Sequence, residues 1–95
     1  MSEIKSYKDL IVWQKSTGLL KNMYVVSQLF PKEEQYGLTN QMQRCAVSIP
    51  SNIAEGYGRN STVDYKRFLQ IAVGSLYELQ TQIEISFQLK YLNEK

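Results

Sequence analysis

The sequence predicts an all-α protein, an antiparallel up-down helical bundle built on three long helices. Three observations carry this. Apolar residues recur at gaps of three and four over most of the chain, as one face of a helix requires. Only two prolines and five glycines occur in 95 residues, too few for a loop-rich β architecture. A glycine- and asparagine-containing break is followed at once by a serine cap with an acidic residue three positions on. One domain is expected over residues 1–95, with helices over about 9–29, 38–57 and 62–92.

The first helix is expected to begin near Asp9 or Val12, with Asp9 as its cap. Its apolar stripe is wide, including Leu10, Trp13, Leu20, Tyr24 and Leu29. Gly18 weakens its middle by about 1 kcal/mol. Pro31 ends it, because the residue before proline avoids the α region. A charged connection, Pro31 to Gly37, leads to the second helix, where Thr39 is the expected cap. Met42, Cys45, Ala46, Ile49, Ile53 and Tyr57 give that helix its stripe. Pro50 interrupts it, yet the apolar spacing stays in phase from Ile49 to Tyr57, which predicts one kinked helix rather than two pieces. Gly56, Gly58 and Asn60 end it through left-handed caps.

Ser61 then caps the third helix, which runs from Thr62 to Leu89 or Leu92 on the stripe Tyr65, Phe68, Leu69, Ala72, Leu76, Leu79, Ile83 and Phe87. At about 1.5 Å per residue it is roughly 40–45 Å long. Three helices of these lengths leave part of its apolar surface uncovered. Either other subunits or a further helix must cover that surface.

The composition excludes several functions. There is no histidine, which removes the Ser-His and Cys-His nucleophile pairs, the commonest metal ligand and the Glu-x-x-His motif of di-iron bundles. No catalytic residue, metal site, cofactor or small-molecule substrate is therefore expected. Cys45 is the only cysteine and sits on an apolar face, where a buried structural thiol is expected. No apolar run approaches the roughly 20 residues that span a bilayer, and the first residues lack a signal-peptide core. A cytoplasmic location and no membrane partner are expected.

A polar stripe remains. Arg44, Ser48, Ser51, Asn52, Glu55 and Arg59 share one face of the second helix. Short hydroxyls and an amide suit close helix contact better than a solvated face does, although a solvated face and a ligand site stay open. The third helix carries a matching series, Ser75, Glu78 and Gln82. The expectation is that Arg44 and Glu55 are partly buried and that Glu78 pairs with one of the stripe's donors. Lys15, Lys21, Arg59, Lys66 and Arg67 are the candidate phosphate contacts if the protein binds RNA or DNA directly. The net charge of +2 neither demands nor excludes nucleic acid.

Four blocks carry a resemblance: Ser6 to Leu10 with Val12 to Lys15; Tyr36 to Thr39 with Gln41; Arg44 to Arg59; and Gly74 to Leu76 with Glu78, Leu79, Thr81 and Gln82. They resemble the four helix bundle proteins encoded within intervening sequences of bacterial 23S rRNA genes. Val47 to Arg59 is the most specific block. The resemblance implies an up-down bundle assembled as a homopentameric ring, with no known active site. It also implies a fourth helix beyond the position of Tyr91 and Leu92. The family is similar to the accessory variability determinant of diversity-generating retroelements, a basic pentameric barrel that contacts a reverse transcriptase and nucleic acid. A protein, RNA or nucleoprotein partner is the corresponding expectation.

Overall fold

A computed structural model describes residues 3–92. Three helices account for most of it: α1 (Ile11–Ser27), α2 (Leu38–Tyr57) and α3 (Thr62–Gln88). Short 3-10 turns, Tyr7–Asp9 and Lys32–Glu34, precede α1 and α2. The all-helical expectation holds, and the differences from the sequence reading lie at the helix ends.

Asp9 does not cap α1. Its carboxylate accepts from the backbone N–H of Lys5 at 2.8 Å and of Ser6 at 3.2 Å, closing a capping box around the first 3-10 turn. Leu10 then takes an extended conformation, and α1 starts after it without a side-chain cap. The helix ends at Ser27 rather than Leu29. The chain tightens there through bonds from Leu29 N–H to the Val26 carbonyl and from Phe30 N–H to the Ser27 carbonyl, which turns the Phe30 ring into the core.

Thr39 does not cap α2 either, because Gly37 holds that position. Glu34 reaches back instead, and its Oε1 accepts from Leu38 N–H at 3.0 Å. One of the donors that a helix start leaves free is thereby satisfied. α2 runs unbroken through Pro50, as the in-phase apolar spacing predicts. The expected left-handed caps after α2 are absent: among the described residues no glycine has positive φ, and Gly58 ends the helix in a right-handed conformation. Ser61 caps α3 as expected, accepting from Asp64 N–H at 3.1 Å.

α3 stops at Gln88, short of Leu92. Lys90 takes φ 65°, and the Lys90 and Tyr91 N–H groups bond back to the Phe87 and Ser86 carbonyls, each at 2.9 Å. This is a Schellman ending with lysine where glycine is usual. It turns Tyr91 onto Phe30, with ring centroids 5.5 Å apart. The Tyr91 hydroxyl donates to Glu34 Oε2 at 2.8 Å, clasping the end of α3 to the α1–α2 connection.

The Leu38 N–H first, and then the Tyr91 hydroxyl, hold the Glu34 carboxyl below its ordinary range. The Glu34 contact, then burial, raises the Tyr91 phenol. A carboxyl with a lowered folded pKa contributes stability above the ordinary carboxylate range and loses it as pH falls through the folded value. A phenol with a raised folded pKa contributes below its ordinary range and loses that as pH rises through the folded value. The clasp should therefore be strongest between the two titrations. Tyr91→Phe should move the Glu34 pKa back toward the ordinary range, read by an NMR titration of its side chain. An unmoved Glu34 would mean that the Tyr91 hydroxyl does not hold its carboxylate.

α2 is the central helix, flanked by α1 and by α3, both antiparallel to it. Gln43 on α2 meets Ser27 near the end of α1, whereas Trp13 near its start shares a cleft with Ala54. Gly56 meets Tyr65 and Phe68, whereas Cys45 and Ser48 meet Ser75. Gly56 is not a helix stop: a methyl there would lie 2.7 Å from the Phe68 Cβ, so glycine is what lets α2 and α3 approach. The core contains Met23, Phe30, Met42, Ala46, Ile49, Ile53, Ala72 and Leu79.

α1 and α3 both lean on α2 without packing their backbones on each other. Between them runs an apolar groove with Ile49 and Ile53 on its floor and Val12, Leu69, Val73 and Leu76 on its walls. This is the uncovered surface that the helix lengths predict. Val12 and Val73 on its walls are exposed.

Candidate functional site

The polar stripe of α2 lies on the side of the α2–α3 pair away from the core residues Ala46 and Ile53. Ser48 and Asn52 are half-buried there, and Arg44, Ser51 and Glu55 are exposed. The expected partial burial of Arg44 and Glu55 is thus corrected for the single chain. The reason is rotation about the helix axis. Ala46 and Ile53 aim α2 at its neighbours, and Arg44, two positions before Ala46, and Glu55, two after Ile53, point outward.

Each stripe residue has a traceable partner or none. The Ser48 and Ser75 hydroxyls form a hydrogen bond across the α2–α3 interface. Asn52 turns back on its own helix, donating to the Ser48 carbonyl at 2.7 Å. Glu55 pairs with Arg59 at 2.9 Å, an exposed contact one turn along the same helix. Such a pair contributes roughly 0–1 kcal/mol.

Glu78 is exposed and forms no ion pair with Arg44 among the described residues, which corrects the second part of that expectation. The two still line one open cleft, with Asn40, Gln41, Cys45, Ser48 and Ser75. Arg44, Ser48, Ser75 and Glu78, expected on facing helices, line it together, and Asn40 and Gln41, which the sequence does not single out, join them. These continue the same face one turn toward the start of α2. Gln82 is buried, and its Oε1 finds no hydrogen-bond partner.

Cys45 closes the base of the cleft. Its thiol donates to the Ser75 carbonyl at 3.0 Å. Burial, then the negative charge of Glu78, pushes its pKa up to about 11. A thiol held in its protonated form is a poor nucleophile, consistent with a structural residue. Cys45→Ala should cost about 1 kcal/mol of stability from the lost buried sulfur and leave partner binding intact. A variant that folds like the parent but no longer binds would overturn this.

The basic candidates divide into two groups. Arg59 and Arg67 come together at the α2–α3 turn, with guanidinium carbons 4.9 Å and 5.8 Å from the centre of the Phe68 ring. Lys66 is exposed beside Arg67, along one shallow depression with Val63 and Gln70. Phe68 belongs to the core stripe by its spacing; its second role depends on how α2 meets α3. Lys15 and Lys21 lie on α1, roughly 120° apart around its axis, so they share no surface with each other. The patch at the turn also holds Glu55 and Asp64, each close to one of the arginines, at 2.9 Å and 3.9 Å.

No described helix is long and apolar enough to cross a membrane. No curated protein matches the chain. Residues 8–95 match the model of a protein family described as 23S rRNA-intervening sequence protein. That match takes in all three helices, the groove and the cleft, and covers the four blocks apart from Ser6 and Tyr7. The chain belongs to the 23S rRNA-intervening sequence protein family.

Proposed function

We propose that the protein is a non-enzymatic, cytoplasmic assembly module that forms a homopentameric ring and acts with a protein or nucleoprotein partner. The observation that carries this is the apolar groove between α1 and α3, together with the exposed Val12 and Val73 on its walls. Contiguous apolar surface of this kind marks an interaction site more often than a solvated face. The family description supplies the link to nucleic acid. Sedimentation velocity at micromolar concentration tests the assembly: a species near five times the 11.0 kDa chain is expected, and a stable monomer refutes it.

The patch of Arg59, Arg67 and Lys66 around Phe68 favours a second reading, direct contact with RNA or DNA. A ring would repeat this patch with its symmetry, multiplying a weak field. Binding of a short RNA that weakens steeply between two salt concentrations would support direct contact. RNA that never co-sediments, at either salt concentration, would leave the partner to be a protein.

A further inference from the structure

α1 carries an apolar strip on its outer side as well as the apolar residues it turns toward α2. Its only charges are Lys15 and Lys21, and it contains no acidic residue. On a helix turning about 100° per residue, Ile11, Gly18 and Val25 fall within about 40° of one line. That line faces away from α2: Ile11 is 69% exposed and Val25 64%, and Leu29, just past the helix end, is 71% exposed. Exposed Gln14, Lys21 and Asn22 flank this apolar strip, as a polar rim flanks an interface.

Two glycines make the same point. Gly18 stands in the middle of α1 and Gly74 in the middle of α3, where glycine weakens a helix. A methyl at either position would meet nothing within 4 Å, so no contact inside the chain calls for glycine. Gly56 is the contrast, because α3 presses directly on it. Gly74 shares an outer face of α3 with Ile71, Glu78 and Ile85, at the helical spacings of three, four and seven. Ile71 and Ile85 are exposed.

The charges on these two faces are opposite. Among the described residues neither Lys15 nor Glu78 forms an ion pair. Lys15 precedes Gly18 by three residues, and Glu78 follows Gly74 by four. Two helices that cross glycine on glycine in antiparallel sense bring Lys15 against Glu78. A parallel crossing would place Lys15 beside Gln70 and Ile71 instead.

We propose that the outer face of α1 in one copy packs antiparallel on the outer face of α3 in a second copy, with Gly18 against Gly74 and Lys15 against Glu78. The two faces differ, so each copy offers both. The contact is head-to-tail and repeats until it closes a ring. This inference rests on the self-assembly reading and names a subunit contact for it outside the groove.

Sedimentation velocity and thermal melting of the whole protein test the contact. Gly18→Leu and Gly74→Leu each enter open space within the chain, so each variant should keep the helix content of the parent and melt cooperatively. Each should nonetheless raise the subunit dissociation constant by roughly tenfold or more. Lys15→Glu alone and Glu78→Lys alone should weaken assembly similarly, and the double variant should restore it. An oligomeric parent whose leucine and charge variants all sediment unchanged would overturn this contact and leave self-assembly standing. A monomeric parent would overturn both. Should a leucine variant fail to fold, the charge exchange decides alone: rescue supports the contact and no rescue refutes it.

Discussion

Gly56→Val should destabilise the fold by roughly 3 kcal/mol, at the upper end of what overpacking a tight contact costs. The first added carbon would already lie 2.7 Å from the Phe68 Cβ, 3.1 Å from a Tyr65 ring carbon and 3.3 Å from the Tyr65 carbonyl. Two of these three obstacles are a Cβ and a backbone oxygen, which move only if α3 moves. Valine then adds two branches at the same place. A small domain has a total stability of about 5–15 kcal/mol, so this one change removes a large share. Gly58→Ala is the control. Its neighbours stand at 3.6 Å and 3.8 Å, ordinary contact distances, and its φ of −77° suits any residue. That variant should be neutral or slightly more stable. Urea titration of both reads the difference. A Gly56→Val midpoint equal to that of the parent would mean that α2 and α3 do not approach each other here.

Leu79→Ala should cost about 2–5 kcal/mol, through the lost transfer of its side chain from water and the cavity left behind. Leu79 is 1% exposed, among the most buried side chains in the chain, in the cluster that also contains Met42, Cys45 and Ala46. Ala72, Leu79 and Ser86 are seven residues apart and all buried, so they mark the line along which α3 meets its neighbours. A cavity at the middle of that line has little room to collapse. Leu89 lies on the same helix end but outside that line, and Leu89→Ala should change stability by no more than about 0.5 kcal/mol. Leu79→Met, nearly equal in volume, should cost less than about 1.5 kcal/mol. Equal denaturation midpoints for Leu79→Ala and Leu89→Ala would remove Leu79 from the core.

By itself the sequence determined that three helices form and roughly where each lies. Stripe spacing, the Ser61 cap and the in-phase passage through Pro50 depend on residues within a turn or two, and local interactions of that range are legible along the chain. It also placed Ser48, Ser75, Arg44 and Glu78 on facing helices, since helical periodicity fixes which residues share a face. Tertiary structure decided the rest. Gly56 reads locally as a helix stop and serves as a contact, because its role depends on how close α3 comes. Asp9 and Thr39 read as caps, but the preceding 3-10 turns claim those helix starts through Asp9 and Glu34 acting elsewhere. Arg59 and Arg67 meet over Phe68 only because the α2–α3 turn folds one helix end onto the other. Arg44 and Glu78 share a cleft without pairing, because the rotation of α2 about its axis is set by Ala46 and Ile53 in the core. Periodicity specifies a face to within a few tens of degrees, and a hydrogen bond needs a few tenths of an ångström. Only the packing of one helix on another supplies that precision.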